Sequence, residues 1–170
     1  MSDTIVTIEL VKRKYLRPSS YWLAKKVFEK NGFNIPIDFL YSLAEHVSTF
    51  AILEPSRYDP YLGEQLLLSG IKRGSLECKY YLMLLYLKED FHFFNVEKGL
   101  HLLDEMVEID HYEEAYYLKG ILLLQGKVLP KDLDKSYLYI KAAADSGYPF
   151  AKDCEKHFQR TTNGHYLFVE

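Results

Sequence analysis

The sequence has little of several features that mark specialised classes of protein. Only two of its 170 residues are cysteines, Cys78 and Cys154, and their spacing fits neither a metal site nor a redox motif. We expect both to be buried free thiols that act as small apolar side chains. The chain also lacks a run of roughly 18 apolar residues and a basic-then-apolar leader at its start. These absences predict a cytoplasmic protein that does not contact a membrane.

An excess of positive charge is also missing. The chain has 21 Lys and Arg residues against 24 Asp and Glu residues, which gives a net charge of −3. A nucleic-acid-binding protein needs basic residues laid along one face, so nucleic acid is not expected as a partner. The short basic cluster between Lys12 and Arg17 is interpreted as solvated surface, with a site for an acidic partner or a lipid headgroup as the alternative.

Motifs for enzyme chemistry are absent from the whole sequence. It contains no P-loop and no GxGxxG, GxSxG or HExxH pattern. The six histidines are scattered without a His or Cys at ligand spacing, and His157, three residues after Cys154, fits an exposed histidine beside an apolar thiol better than an activated nucleophile. We therefore expect no catalytic residue, no metal and no cofactor. An enzyme with its site in residues 1–55 is the less favoured alternative.

What the sequence does have is a series of short helical patterns separated by turn residues. Apolar residues recur at spacings of three and four, and Gly, Pro, Asp or Ser interrupts each pattern. Two helices are predicted before residue 55, and six more over 59–74, 75–88, 95–107, 112–125, 132–146 and 149–160. Residues 4–10 and 165–169 are predicted to be extended. The pattern indicates an all-α stack of helical hairpins with short extended termini.

Residues Ala115 to Ala151 show small residues at positions where two helices would have to approach closely. Gly120 and the alanine run at 142–144 have such small side chains. Gly126 can adopt the left-handed conformation that ends a helix, and Asp132 can cap the start of the next helix. Each residue type therefore has a steric or hydrogen-bonding reason within one helix–turn–helix unit.

This unit resembles the Sel1-like repeat, a branch of the tetratricopeptide solenoids. Ala151 lies 36 residues after Ala115, and this separation equals the usual length of a unit. Ten positions match the family pattern: Ala115, Gly120, Gly126, Pro130, Asp132, Lys135, Ala143, Ala144, Gly147 and Ala151. The departures are Lys119 for Leu, Val128 for Gly, Leu129 for Val, Ser136 for Ala and Tyr139 for Trp, and Lys119 places a charge where an apolar residue is usual. The resemblance implies a helical-hairpin solenoid.

The preceding unit is more diverged. Cys78 aligns with Ala115, and residues 95–98 align with 132–135. Further upstream, residues 61–74 resemble the second helix of an earlier unit. We therefore divide the single solenoid domain into an irregular helical part (1–57), a diverged repeat (58–110), a clear Sel1-like repeat (111–151), and a capping helix with a tail (152–170).

Two groups of residues are candidates for binding a partner. The acidic segment from Glu89 to Glu114 has nine acids and one base, Lys98, and is either a solvated face or a surface that steers a basic partner. Tyrosines are abundant, and on adjacent positions of a first helix one should be buried and the other nearer the surface. Core filling is the alternative for at least half of them. The candidates are Tyr80, Tyr81, Tyr116, Tyr117, Glu105, Glu108, Glu113 and Glu114.

The resemblance implies a non-catalytic protein that binds another protein, since Sel1-like proteins act as adaptors and regulators, many of them in bacteria. A short chain with few units and an irregular first third resembles bacterial immunity proteins, which neutralise a toxin. The acidic segment would suit a basic toxin domain. An adaptor or regulatory scaffold in a stress or secretion pathway is the alternative. The sequence leaves the oligomeric state open.

Overall fold

The computed structural model describes residues 59–169 and, before them, the helical residues 37, 40, 41, 44, 45 and 48. Leu40, Ala44 and Ser48 are buried at a spacing of four, as expected for one face of a predicted helix. The extended arm at 4–10, the basic cluster at 12–17 and the first predicted helix lie outside the described residues. The chain divides into two compact lobes, the N-terminal lobe (Met1–Asn95) and the C-terminal lobe (Val96–Glu170).

Residues 59–87 of the N-terminal lobe form a helical hairpin. Helix α1 (Pro60–Lys72) begins at Asp59, whose carboxylate accepts a hydrogen bond of 3.0 Å from the Leu62 N–H. Helix α2 (Leu76–Leu87) begins at Ser75, whose hydroxyl caps the Cys78 N–H at 3.1 Å. Both caps satisfy N–H groups that have no partner within a helix. Gly70 lets the two helices pack closely, because a Cβ there would collide with Cys78 Sγ.

The C-terminal lobe continues the pattern with four helices. They are α3 (Val96–Glu108), α4 (Glu113–Gln125), α5 (Leu133–Asp145) and α6 (Pro149–Glu155). Helices α4 and α5 cross at Gly120, where a Cβ would lie 2.7 Å from the Cδ1 and Cγ1 atoms of Ile140. Buried Ala143, Ala144 and Ala151 complete the core with Ile140. The small residues of the Sel1-like pattern therefore do what their sizes predict, since they let the helices approach.

The turns of this unit also follow the sequence pattern. Gly126 ends α4 with a φ of +69°, in the left-handed conformation predicted for it. Asp132 caps α5 by accepting the Lys135 N–H at 2.9 Å, and this bond lowers the pKa of the Asp132 carboxyl. The predicted helices from residue 59 to 146 are confirmed, with ends that differ by one or two residues.

The prediction of a last helix reaching Arg160 is wrong. Helix α6 ends at Glu155, and the following residues form strand β1 (Phe158–Arg160), which pairs antiparallel with β2 (Tyr166–Phe168). The Phe158 ring lies 5.1 Å from the Phe168 ring, and Gly164 turns the chain with a φ of +86°. Aromatic residues on both sides of Asn163–Gly164 favour a hairpin over a longer helix. The extended structure predicted for 165–169 is confirmed.

The hairpin is held against α5 by stacking and by one carboxylate. The Tyr137 and Tyr166 rings stack with centroids 3.8 Å apart. Asp134 accepts a hydrogen bond of 2.8 Å from the Tyr166 N–H, and its other oxygen lies 2.6 Å from His165 Nδ1. Asp134 thus binds the backbone N–H of Tyr166 on the edge of β2 that faces away from β1. This contact fixes the hairpin beside α5. The fold is thus built of helical hairpins, with one small sheet among the described residues.

Candidate functional site

The eight predicted binding residues lie in both lobes. Tyr80 and Tyr81 are on α2, in the N-terminal lobe, whereas the other six are on α3 and α4, in the C-terminal lobe. Glu108 and Glu113 are exposed, and the remaining six are half-buried. Helix α4 brings four of them together: Glu113, Glu114, Tyr116 and Tyr117.

The expectation that one tyrosine of each adjacent pair is buried and the other nearer the surface is wrong in that neither residue of a pair is buried. Tyr80 and Tyr81 are both half-buried, and so are Tyr116 and Tyr117. On α4 the reason is that each ring turns to a different neighbour. Tyr116 faces Tyr139 of α5, with ring centroids 6.3 Å apart, and Tyr117 faces Tyr148 at the start of α6, at 5.2 Å. Helix α4 therefore has an aromatic contact on each of two flanks.

The first flank of α4 contains an ion pair between helices. Lys119 Nζ lies 2.8 Å from Asp104 Oδ1 of α3 and 4.8 Å from the centre of the Tyr139 ring of α5. Burial alone would lower the pKa of Lys119, but hydrogen bonding to Asp104 and Tyr139 and the Asp104 charge raise it above its usual value. This arrangement accounts for a charge at a position where the family has an apolar residue. The long side chain lies over an aromatic ring, and its ammonium group reaches a carboxylate.

Tyr116 also contacts the loop before α4. Its hydroxyl lies 3.1 Å from His111 Nδ1. His111 has a φ of +51°, the one non-glycine residue with a positive φ among those the structure describes. Histidine tolerates this left-handed conformation better than bulkier or β-branched residues. The loop thus places the His111 imidazole beside the hydroxyl group of Tyr116 on α4.

The second flank of α4 is a row of three aromatic rings, Tyr117, Tyr148 and Phe150. Tyr148 lies 5.6 Å from Phe150, whose side chain is 65% exposed. Burial raises the pKa of Tyr117, and burial together with the negative charge of Glu114 raises the pKa of Tyr148. The row therefore runs from the half-buried surface of α4 to solvent, with a carboxylate close to its middle ring.

The acids of the predicted segment have different environments. Asp104 is paired with Lys119, and Glu105 Oε1 lies 3.4 Å from His101 Nδ1 one turn earlier on α3. Asp90 lies 3.2 Å from Lys88. Part of the negative charge counted in the sequence is thus balanced within the protein, and the exposed carboxylates of Glu108 and Glu113 face solvent.

Sequence reasoning missed Phe150, the outer member of the aromatic row, and treated Lys119 only as a departure from the family pattern. A signal for Phe150 was present, because a large aromatic residue next to Pro149 opens a helix that was predicted to face solvent. No comparable signal existed for the partner of Lys119. Asp104 lies 15 residues earlier, and which acid reaches the lysine depends on how α3 packs on α4.

Within residues 59–169 and the few described before them, no three His, Cys, Asp or Glu side chains are grouped to hold a metal ion. No helix in this part of the chain is long and apolar enough to cross a membrane.

Comparisons with known proteins place the fold. No protein-family model matches the sequence, and no curated protein matches it. Among solved structures, the chain is similar to a Sel1 repeat protein from Oxalobacter formigenes, with a TM-score of 0.64 and 18% sequence identity over 89% of this chain. The match spans 44% of the length of that protein. The resemblance predicted from residues 115–151 is thus found in three dimensions, and the chain has the fold of a Sel1 repeat protein.

Proposed function

We propose that the protein is a non-catalytic module that binds another protein through the aromatic and acidic surface of its C-terminal lobe. The observation that carries this proposal is the row Tyr117–Tyr148–Phe150, whose outer ring is 65% exposed. Aromatic residues supply much of the contact area at protein interfaces, because each ring buries a large surface. An exposed phenylalanine that continues a row of packed rings is suited to such an interface.

The repeat fold supports the same function. Stacked helical hairpins present the first helices of successive units side by side, and partner proteins bind along such surfaces. By the alignment of the units, α4 and α6 are first helices of consecutive units, and the aromatic row joins them. The row therefore lies where a repeat protein of this type would bind its partner.

More specifically, we propose an immunity protein that neutralises a basic bacterial toxin domain. The support is electrostatic. Glu108 and Glu113 expose their carboxylates near the ends of α3 and α4, in a segment with nine acids and one base. Exposed charge of one sign accelerates encounter with a partner of opposite sign. A toxin that acts on nucleic acid has such a basic surface, because it must bind phosphates.

The proposal is tested with the protein encoded by the gene adjacent to that of this chain. The two proteins would be co-expressed, and their affinity and the toxic activity of the partner would be measured with increasing amounts of this chain. We expect a one-to-one complex and complete inhibition at equimolar protein. A complex without inhibition would instead favour an adaptor, and no complex at all would contradict the immunity function.

Variants locate the surface in the same assay. Phe150→Ala, Tyr116→Ala and charge reversal at Glu105, Glu108 and Glu114 each remove one proposed contact of the C-terminal lobe, and Tyr81→Ala tests the candidate on the N-terminal lobe. The matched controls are Tyr61→Ala, an exposed tyrosine of α1, and Asp145→Lys at the end of α5. If the surface is correct, the C-terminal-lobe variants weaken the complex about tenfold or more, the effect of one good interface contact. Equal affinity for all variants and both controls would show that the partner binds elsewhere.

A further inference from the structure

Glu114 has a carboxylate oxygen with no hydrogen-bond partner. Its Oε2 atom is buried, and among the residues that the structure describes no donor reaches it. Buried carboxylate oxygens normally accept hydrogen bonds, because losing water without a replacement is unfavourable. The side chain as a whole is half-buried, so part of Glu114 meets solvent, and rotation about χ3, a soft torsion, exchanges its two carboxylate oxygens. A donor from outside the chain would satisfy this oxygen.

The surroundings of Glu114 are aromatic. Tyr117 follows it by three residues on α4 and therefore lies on the same side of the helix. The Tyr148 ring is 5.2 Å from Tyr117, and the negative charge of Glu114 acts on the Tyr148 hydroxyl. Phe150 extends the row into solvent. One buried acceptor and a row of rings that ends at an exposed phenylalanine thus occur together.

Among residues 59–169 no basic side chain reaches the Glu114 Oε2 atom, and two lysines of this lobe pair with other carboxylates. Lys119 is paired with Asp104, and Lys141 is paired with Asp145 at 3.0 Å and with Glu155 at 3.8 Å. Among residues 59–169, the arginines are Arg73 on the other lobe and Arg160 in β1. A cation for Glu114 is therefore expected from a partner.

Of the natural cations, arginine fits this combination best. Its guanidinium group is planar, donates several hydrogen bonds in a fixed geometry, and stacks on aromatic faces. Lysine is a compact, strongly hydrated charge and gains less from a neighbouring ring. We propose that Glu114 and the row Tyr117–Tyr148–Phe150 bind an arginine side chain of the partner protein, with the guanidinium group donating to Glu114 and packing on the rings. This inference rests on the proposed function, and it names the residue type that the surface recognises.

The inference is tested without knowing the partner, by NMR titration of the intact protein. The probes are N-acetyl-arginine amide, N-acetyl-lysine amide and N-acetyl-citrulline amide, the last of which has the shape of arginine without its charge. We expect the arginine probe to shift the signals of Glu114, Tyr117, Tyr148 and Phe150, the lysine probe to bind more weakly, and citrulline to leave them unchanged. Equal shifts with citrulline, or arginine-induced shifts only at Glu108 and Glu113, would overturn the site.

Two variants make the assignment specific. Glu114→Gln keeps the shape of the side chain but removes its charge, and we expect the arginine probe to bind about tenfold more weakly, the size expected for a charge-assisted hydrogen bond. Tyr148→Leu keeps an apolar side chain and should weaken arginine more than lysine. Asp145→Asn, at an exposed position at the end of α5 and outside the proposed surface, is the matched control and should change neither. Circular dichroism melting confirms that each variant is folded. Unchanged arginine binding in both folded variants would contradict the proposal.

The same variants separate this inference from the proposed function. If Glu114→Gln leaves the complex with the partner protein intact while Tyr116→Ala or Glu105→Lys disrupts it, the interaction function holds and the arginine site is wrong. Glu114→Gln and the replacement of one partner arginine by lysine should each weaken the complex. If the two changes together weaken it no more than either change alone, the two side chains contact each other. If the probe binds as expected but no partner protein does, the function fails and the arginine site stands.

Discussion

Ser136 Oγ donates a hydrogen bond of 2.8 Å to the main-chain carbonyl oxygen of Gly120, where α4 and α5 cross. The family pattern has alanine at the position of Ser136, so the hydroxyl adds a polar link between two helices that are otherwise joined by packing. Both groups are buried in the contact. The crossing thus has two requirements, which are the absence of a side chain at Gly120 and a small side chain at Ser136.

Replacing Gly120 by alanine should destabilise the C-terminal lobe. The added Cβ would lie 2.7 Å from Ile140 Cδ1 and Cγ1 and 3.2 Å from the Ile140 backbone N, so α4 and α5 must separate. Overpacking of this kind costs about 1–3 kcal/mol, which exceeds the gain of up to ~1 kcal/mol in helix propensity. Urea unfolding followed by circular dichroism measures the change.

Ile140→Ala provides the background that tests the cause of this effect. In that background both colliding side-chain atoms are gone, so Gly120→Ala should cost much less than in the natural sequence. The difference between the two costs is the coupling free energy between the positions. An equal cost in both backgrounds would contradict the collision with the Ile140 side chain.

The effect of mutating Asp104 on stability should depend on the presence of Lys119. Lys119 has a side chain that is 13% exposed and 2.8 Å from the carboxylate, so removing Asp104 leaves a largely buried ammonium group. We expect Asp104→Ala to destabilise the protein in the presence of Lys119 and to be nearly neutral in a Lys119→Leu background. The coupling should be about 0.5–1 kcal/mol, near the upper end for partly exposed ion pairs. A double-mutant cycle in urea measures it, and purely additive effects would refute the dependence.

The contact between Asp134 and the β-hairpin should weaken at both low and high pH. Hydrogen bonding to Asp134 raises the pKa of His165 above 6.5. The stabilisation that protonated His165 provides is therefore complete below pH 6.5 and is lost as the pH rises through the raised pKa. Hydrogen bonding from His165 and from the Tyr166 N–H lowers the pKa of Asp134 below 3.8. That contribution is complete above pH 3.8 and is lost as the pH falls. The hairpin should be held most firmly between these limits.

Amide exchange at Tyr166 measures this dependence, because its N–H donates to Asp134. Protection, corrected for the intrinsic pH dependence of exchange, should be highest between about pH 4 and 6.5. Asp134→Asn should remove the maximum, whereas Asp153→Asn on α6, whose carboxylate pairs with Lys156 at 2.7 Å, should leave it in place. A flat profile in the natural protein would contradict a role for this pair.

The two cysteines should react slowly and at different rates. Burial raises the pKa of both Cys78 and Cys154, so little thiolate is present near neutral pH. Cys78 is fully buried beside Gly70, whereas Cys154 is only half-buried. Alkylation of the folded protein by iodoacetamide, followed by mass spectrometry, should therefore modify Cys154 first and Cys78 only on unfolding. Faster modification of Cys78 would contradict the tight contact of α1 with α2.

The sequence predicted the parts of the fold that depend on local chemistry. Gly126 ends a helix because only glycine adopts its left-handed conformation without strain, and Asp132 begins one because its carboxylate caps an N–H group. Such signals are readable along the chain. The last helix was predicted too long because its pattern was followed past Glu155, although Asn163–Gly164 between aromatic residues indicates a hairpin.

The candidate site was less predictable, because its groups meet only through packing. The sequence identified Glu114 and Tyr117 as binding candidates, but the unpartnered Oε2 atom and the row that ends at Phe150 depend on how α6 lies against α4. The burial of a tyrosine likewise depends on the residues that pack around it, which the sequence does not reveal. Tyr116 and Tyr117 are neighbours on one helix and both are half-buried, although their directions differ by about 100°.

The ion pair between Asp104 and Lys119 limits how this protein could be extended by tandem duplication. In the alignment of the units, the position of Asp104 corresponds to Lys141 in the following unit. A copied Sel1-like unit placed after the original would bring a second Lys119 to the side of Lys141, and two positive charges would meet where an ion pair now forms. A longer array of such copies would therefore need a carboxylate at residue 141 of every unit that is followed by a copy, including the original.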